Sequence, residues 1–577
     1  MQKLFFVLTC FFSTATAVSQ TYITPVTIAD VENHQLLKNQ TVIVTNDKIT
    51  KIQPASIKLP ANATVIDGTG KYLLPGLTDA HIHFFQNGGL YSRPDVIDLT
   101  SVQPYTKERA LAHQTMEDKL RRYLQNGITN VIDVGASYSY LKRREDFKDV
   151  HYAPRIYITG PLLTTYEPET YKNLGDDAPF SLVTSVDNGI KMVQAQLPYR
   201  PDFIKIWYIA GADGLDKEAS ARKNLPVIKA IIDEAHKNKL KVAVHATERI
   251  TAQLAVENGA DLLVHSVDDE LVKDDFVQLL KKNKTVLCPT LQVSDGYSRT
   301  FAQTLQLNSH ELQRANPFQA GSLLDLKHIG DTALVNQYKK IITSPEYAAK
   351  SKNENERVMQ NLKKLSDAGV FIVTGTDAGN IGTLHASSYL EELVRMKNSG
   401  MSNWQIIIAS TINGARVLNK ENEFGSITAG KMANLILLNA NPVDSIENLS
   451  KIDLVINRGV VFKPDTLIAE TPVALAQRQL NAYNSRNINA FLEPYADDVE
   501  IYNYPNTLVA RGKEAMRKNY SSFFDTTPDL HCELVGRIVQ GNVVIDKERV
   551  RMDNKFFEAV AIYHIENNKI KKVYFIQ

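Results

Sequence analysis

The sequence predicts an α/β chain: a (β/α)8 TIM barrel carrying a small composite β-sandwich, followed by a separate C-terminal α+β domain. Three observations predict it. After His83, apolar strand-like runs alternate with amphipathic stretches long enough for helices, the pattern of βα units around a parallel sheet. On either side of that alternation, at 18–74 and 421–463, the pattern is β alone. Beyond a Pro-flanked link at 464–472, helical stretches come first and then only strands. At 577 residues the chain exceeds what one hydrophobic core serves.

In order, 18–74 holds short β-like runs at 41–44 and 48–52 around an Asn46-Asp47 turn, then a turn at Asp67-Gly68-Thr69-Gly70. The barrel is expected over 75–420. Its strand candidates are 128–134, 155–159, 202–207, 241–246, 261–267, 285–291 and 370–377. With the strand carrying His81 these make eight, the number that closes a barrel. Helical candidates are 108–125, 226–237, 251–257, 273–281 and 353–368. The segment 292–352 is too long for a plain connection and is expected to add helices over the barrel mouth. β character returns at 425–427, 433–438 and 454–456, and the two flanking β pieces are expected to form one sandwich. The last domain, 473–577, reads as helices at 474–483, 488–494 and 513–523, a strand near Glu500, and hairpins turning at Gln540-Gly541-Asn542, Asp553-Asn554 and Asn567-Asn568.

Composition excludes some partners. Hydrophobic residues make up 44% and charged residues 22%, values of a water-soluble globular chain. Lys+Arg 65 against Asp+Glu 64 gives no field to draw nucleic acid or an anionic membrane. Residues 1–17 read as a secretion signal: Lys3, an apolar core at 4–12, and Ala15-Thr16-Ala17 as a cleavage site. That core is too short to span a bilayer, and Cys10 lies inside it instead of after it, against a lipid anchor. Export to a periplasm or the cell exterior is expected, with no membrane span. Cys288 and Cys532 then remain, far apart, and indicate neither a disulfide framework nor thiol chemistry.

The chemistry centres on Leu74-Pro75-Gly76-Leu77-Thr78-Asp79-Ala80-His81-Ile82-His83-Phe84. In a strand, i and i+2 share a face, so His81 and His83 project together and can hold one cation. Such a pair also occurs on plain strand faces; its weight comes from company. Lys205 lies within Phe203-Ile204-Lys205-Ile206-Trp207, His245 ends Val242-Ala243-Val244-His245, His265 ends Leu262-Leu263-Val264-His265, and Asp377 ends 372–377. Each is polar at the C-terminal end of an apolar strand, and in a barrel those ends converge on one face. Singly, each reads as a hydrogen-bonded structural residue, or for lysine a snorkelling one. Jointly they read as a metal site. A protonated lysine repels cations, but its neutral amine condenses with carbon dioxide to a carbamate, which behaves as a carboxylate and can bridge two metals.

Residues 23–462 resemble the metal-dependent amidohydrolase superfamily, in its imidazolonepropionase-like and prolidase-like branch. "LLPGLTDAHIHF", "FIKIW", "VAVHAT", "LLVHS" and "VTGTDAG" match the metal motifs in order, and "STINGARVLNKENEFGSITAGKMANLILLNANP" the return to the sandwich. Asn434 stands where the family usually has Asp. The resemblance implies that His81, His83 and Asp377 hold one divalent metal and His245 and His265 another. Carbamylated Lys205 and a hydroxide would bridge them, with zinc best suited and manganese or cobalt possible. It implies Asp377 as the catalytic proton carrier, and Asp79 as an orienting partner or a structural turn contact. His385 and Tyr208 are candidate substrate contacts, with a polar contact near a helix start the other reading of His385. Residues 473–577 resemble the ketosteroid-isomerase-like, nuclear transport factor two-like fold through "RQLNAYNSRNINAFLEPYADDVEIYNYP", which implies a cone-shaped domain with an apolar pocket. Tyr502, Tyr504 and Glu500 are candidates to line that pocket, with plain core the other reading of the tyrosines, and either homo-oligomerisation or substrate presentation is the role the domain suggests.

The expected activity is hydrolysis of an amide bond in a dipeptide or N-acyl amino acid. Alternatives are a mononuclear deaminase or cyclic-amide hydrolase, a lactonase or phosphotriesterase on the same scaffold, and, from another class, a non-enzymatic ligand-binding protein. Specificity belongs to loops such as 138–142, 164–171, 208–213 and 292–352.

Overall fold

The computed structural model describes residues 20–325, 327–329 and 332–576. The expected secretion signal at 1–17 and Cys10 lie outside the described residues.

The two flanking β pieces join in one eight-stranded sheet. Its order runs Val460–Phe462, Ile452–Asn457, Leu435–Leu438, Tyr72–Pro75, Gln20–Asp30, Gln35–Thr45, Lys48–Pro54, with Thr64–Asp67 also on Gln20–Asp30. The seam is the antiparallel pairing of Leu435–Leu438 with Tyr72–Pro75. Lys48 at the far end also bridges Met432, beside that seam, so the expected sandwich is a single sheet curled back on itself. The run Leu-Ile-Leu-Leu at 435–438 is buried on both faces, which is why it does not alternate with polar residues. Leu435 and Leu437 enter the core enclosed by the curl, whereas Ile436 and Leu438 enter the larger core.

Seven of the described parallel strands of the central region follow one another in sequence order, with Leu162–Thr164 and Phe180–Leu182 added beside Phe203–Trp207. Leu77–Ile82, Ile128–Asp133 and Arg155–Ile158 pair in turn. A Thr159–Phe203 bridge leads to Phe203–Trp207, Lys241–His245, Leu262–Val264 and Val286–Cys288. An eighth segment, expected as a strand at 370–377, is held by bridges from Leu287 to Ile372 and from Ile82 to Ala378, which bring the order back to its start. A core cluster takes a side chain from every member of this cycle, including Ala80, Ile132, Tyr157, Phe203, Ala243, Leu262, Val286 and Val373. The interior below the site is therefore packed, which gives a rigid floor. Gly375 is required there: a Cβ would lie 2.4 Å from Cys288 Sγ and 2.8 Å from His81 Cβ. Gly375→Ala is expected to destabilise by about 1–3 kcal/mol through overpacking, read as a fall in midpoint by chemical denaturation.

Helices cover the outside. The stretch expected as one helix at 108–125 is two, Tyr105–Gln114 and Met116–Gln125, broken at Thr115, whose side chain bonds back to Leu111 O. Lys217–Lys237 begins earlier than expected because the Asp216 side chain caps it, and it tolerates Pro226 inside. Tyr389–Asn398, absent from the sequence expectation, carries the fully buried Glu392. That carboxyl accepts from the backbone N–H groups of Leu291 and Gln292 at 2.8–3.2 Å and fixes the loop beside Thr290. Burial raises Glu392 to about 8 despite those bonds. A carboxyl raised on folding binds its proton in the native state at pH values where the unfolded chain has lost it. Its contribution to stability therefore falls as pH rises between about 4.5 and about 8. Glu392→Gln should remove that slope: thermal melts from pH 5 to 8.5 should show a midpoint falling by several degrees more in the natural protein than in the variant.

Helices of 292–352 pack between the ring and the C-terminal domain, with Pro317–Leu324 against Pro472–Asn484. The C-terminal domain has three helices and a six-stranded sheet in the order Thr507–Arg511, Tyr495–Asn503, Lys569–Ile576, Lys555–Glu566, Val543–Met552, His531–Gln540. Its hairpin turns lie at the expected positions, with positive φ at Gly541, Asp553, Asn554, Asn567 and Asn568. The domain encloses a cavity of about 750 Å³, but Glu500, Tyr502 and Tyr504 do not line it. Tyr504 is 61% exposed and Tyr502 donates to Glu500 on the outer face. The register places Tyr495, Ile501 and Asn503 inward instead, and a one-residue shift exchanges faces. No helix among the described residues is long and apolar enough to cross a membrane.

Candidate metal centre

The strand ends bring six side chains to one cavity of about 380 Å³: His81, His83, Lys205, His245, His265 and Asp377. Within Phe203–Trp207 the period of two sets Phe203 in the packed floor and Lys205 and Trp207 above it, facing the cavity. His81 Nε2 and His83 Nε2 lie 3.2 Å apart, and Asp377 Oδ1 lies 3.2 Å and 3.0 Å from them. The ring centroid of His265 lies 5.0 Å from that of His81, tilted, and 4.5 Å from that of His245, edge-on. Single donor atoms of His81, His265 and Asp377 all fall within 4.8 Å of one another.

The backbone is bent to achieve this. His265, Thr290 and Asp377 all have positive φ, 76°, 48° and 61°, a conformation that costs a non-glycine residue about 1–2 kcal/mol. Asp79 helps impose it. Fully buried, it accepts from Thr376 N at 3.0 Å and Thr376 Oγ1 at 2.7 Å, tying the first strand to the residue before Asp377. It also accepts from the His81 backbone N–H at 3.4 Å, so its hydrogen bonds tie the two strand ends together, the structural contact of the two expected roles. Burial raises Asp79 to about 7, with the Thr376 bonds opposing.

Electrostatics leave these groups as donors of lone pairs. His83 Nδ1 donates to Gly135 O at 3.0 Å, which directs the Nε2 lone pair into the cavity. Burial lowers His81 to about 4 and His265 to about 3, and takes His245 well below the ordinary histidine range. All three are neutral near pH 7. Burial would raise Asp377, but His81 and His83 override it and hold the carboxyl well below the usual range. Burial lowers Lys205 to about 7, with Asp377 opposing.

Three buried polar atoms here have no hydrogen-bond partner: His81 Nδ1, Lys205 Nζ and Asp377 Oδ1. Asp377 Oδ1 is close to two imidazole nitrogens yet aligned for a hydrogen bond with neither, so lone pairs converge on a common point. Unpaired buried groups are costly, and a cation is what neutral imidazoles and a carboxylate so placed accept. The donor set, nitrogen and oxygen without sulfur, fits a divalent ion.

The two candidate substrate contacts lie elsewhere. His385 is buried with both ring nitrogens engaged, by Tyr123 Oη and Gln86 O at 2.9 Å each, and does not line the cavity. Tyr208 is also buried, its hydroxyl donating to Ala221 O, because the strand's alternation turns it away. Residues that line the cavity without having been expected include Arg93, Trp207, Tyr297 and Asn380. Trp207 was legible, two positions after Lys205; the others come from loops distant in sequence and left no signal.

A cycle of parallel strands with a cluster of candidate metal ligands at their C-terminal ends is the arrangement of barrel hydrolases that work through divalent ions. Comparison with known proteins narrows it. The pattern of the amidohydrolase family matches residues 72–462, and that of a SnoaL-like domain matches 476–573. The chain belongs to the amidohydrolase family. An uncharacterized protein of Mycobacterium tuberculosis (strain ATCC 25618 / H37Rv) is 24% identical over 404 residues, covering 70% of this chain and 87% of that protein. Among solved structures, a Xaa-Pro dipeptidase with bound methionine superposes with a TM-score of 0.58 at 22% identity, over 77% of this chain and 100% of its own. Molinate hydrolase superposes at 0.60 and 17% identity, over 78% and 96%. These likenesses carry the barrel fold. The expected amidohydrolase family holds, and membership in it supports a hydrolase.

Proposed function

We propose that the protein is an exported, binuclear, metal-dependent amidohydrolase that hydrolyses a carbon–nitrogen amide bond, as in a dipeptide, an N-acyl amino acid or a related small amide. The convergence of six donor side chains, three of their atoms unpartnered, on one cavity carries this reading. His81, His83 and Asp377 would hold one ion and His245 and His265 the other, with Lys205 between them as a carbamate; zinc suits the donors best, with manganese or cobalt as alternatives. When bound, such ions supply an acidified water and a Lewis acid for the substrate carbonyl.

The chain's own residues do the rest. Asp377, charged and at the cavity floor, takes the proton of the attacking water and passes it to the departing nitrogen as the C–N bond breaks and a C–O bond forms. Asp79 and Glu392 hold the strand and loop ends that aim these groups. The apolar wall around them excludes bulk water.

A mononuclear centre is the second reading, because the donor atoms of His81, His265 and Asp377 already have one-ion spacing. Metal analysis of active protein decides: about two ions per chain are expected, and full activity at one ion removes Lys205 from the account. Export is tested by the N-terminus of protein recovered from expressing cells, where cleavage after Ala17 is expected.

A further inference from the structure

The cavity wall bears on which amide enters. Around the six donor groups it is built from aromatic and branched side chains, Phe85, Phe180, Trp207 and Tyr297 with Leu162 and Val293. Trp207 and Phe180 pack 5.1 Å apart, and Trp207 meets His245 edge-on at 5.9 Å, so the aromatic surface reaches the donor cluster itself.

Among the described residues lining the cavity, two are cationic, Lys205 and Arg93. Lys205 belongs to the donor cluster. Arg93 is already committed: its Nε and Nη2 donate to the two oxygens of Asp95 at 2.8 and 2.6 Å, and its Nη1 donates to Tyr297 Oη at 3.0 Å and Asn380 Oδ1 at 2.7 Å. Asp95 is locked in turn by the Tyr171 hydroxyl at 2.6 Å. A bidentate ion pair of this kind, mostly shielded from water, neutralises the guanidinium and leaves it little to offer a second carboxylate. The neighbouring pocket, which shares Thr247, His265 and Val293 with the cavity, adds one cation among its described lining residues, outnumbered by carboxylates. It presents Asp268, Asp295 and Glu354 against Lys350, which itself lies 3.9 Å from Glu354. Burial foremost, then the nearby Asp269, Glu248 and Glu354, raise Asp268 to about 6, with Lys217 opposing.

We propose that the site selects uncharged amides with apolar flanks, at least one of them aromatic, and disfavours substrates that carry a free carboxylate. The inference rests on the amide-hydrolase reading and narrows it away from dipeptides and N-acyl amino acids. Aromatic walls reward apolar area and ring stacking, whereas a carboxylate entering beside them loses its water and, outside the donor cluster, meets on the described wall only the already paired Arg93. Hydrolysis of such an amide consumes one water and releases one carboxylate and one amine.

A matched pair tests it: N-phenylacetyl-phenylalanine and N-phenylacetyl-phenethylamine, which differ by one carboxylate. With the full-length, metal-loaded protein, kcat/KM is expected to be at least tenfold higher for the neutral twin. Asp95→Asn leaves the guanidinium of Arg93 uncompensated and should move the ratio at least tenfold towards the acid. An acid cleaved as well as its neutral twin overturns the proposal and leaves amide hydrolysis standing, as does a ratio unmoved in a folded Asp95→Asn protein. Failure of both twins, with metal content complete, overturns the amide-hydrolase reading and the proposal with it. If Asp95→Asn does not accumulate folded, the ratio of the natural protein decides alone.

Discussion

Asp377→Asn is expected to lower kcat by about 10³-fold while leaving the thermal midpoint within a few degrees. A positioned proton carrier contributes about 10²- to 10⁴-fold, and Asn keeps the shape of Asp but cannot accept a proton. The site makes the carboxylate hard to replace. Asp377 is 6% exposed, lies 3.0 Å from His83 Nε2 and 3.2 Å from His81 Nε2, and sits on a backbone that Asp79 holds through Thr376. Steady-state kinetics together with metal analysis make the check. An enzyme that loses turnover but keeps its ions identifies the proton step, whereas unchanged turnover removes Asp377 from the chemistry.

Lys205→Met should act in opposite directions on the metal-free and metal-loaded protein. Without metal, Lys205 Nζ is buried with no partner, and a methionine of similar length removes that penalty, so the apoprotein should gain about 1–3 kcal/mol. The gain has a pH signature. An amine whose native pKa falls to about 7, from an ordinary 10.5, makes the natural apoprotein more stable as pH rises through that interval. The variant lacks that rise, so its advantage shrinks towards alkaline pH. With metal, the variant should retain about one ion instead of two and lose activity by orders of magnitude. Urea titrations of chelator-treated protein at pH 6.5 and 9.5 measure the first effect. An apoprotein destabilised at pH 6.5 would show that the amine is held by contacts instead of being stranded.

The donor cluster was readable because its chemistry is local in sequence: each member ends an apolar strand, and strand ends of a barrel share one face. The curled sheet was half readable. Its two pieces were visible as β, but the Lys48–Met432 bridge that curls them joins residues hundreds of positions apart. The break at Thr115 was hidden because amphipathic spacing continues across it. His385 and Tyr208 looked free to meet substrate, since nothing in sequence announces Tyr123, Gln86 or Ala221 as their partners. Arg93 was invisible for the same reason, its role being set by Asp95, Tyr297 and Asn380. In each miss the deciding contact is long-range, and loop positions carry no periodicity from which to infer it.

Anomalous X-ray diffraction from metal-loaded crystals is the most direct measurement of the pairing of Lys205 with two ions. Two peaks are expected, one among His81, His83 and Asp377 and one beside His245 and His265, with density extending Lys205 Nζ by a carboxylate-sized group between them. A single peak, with the lysine ending at a bare amine, would contradict the binuclear account.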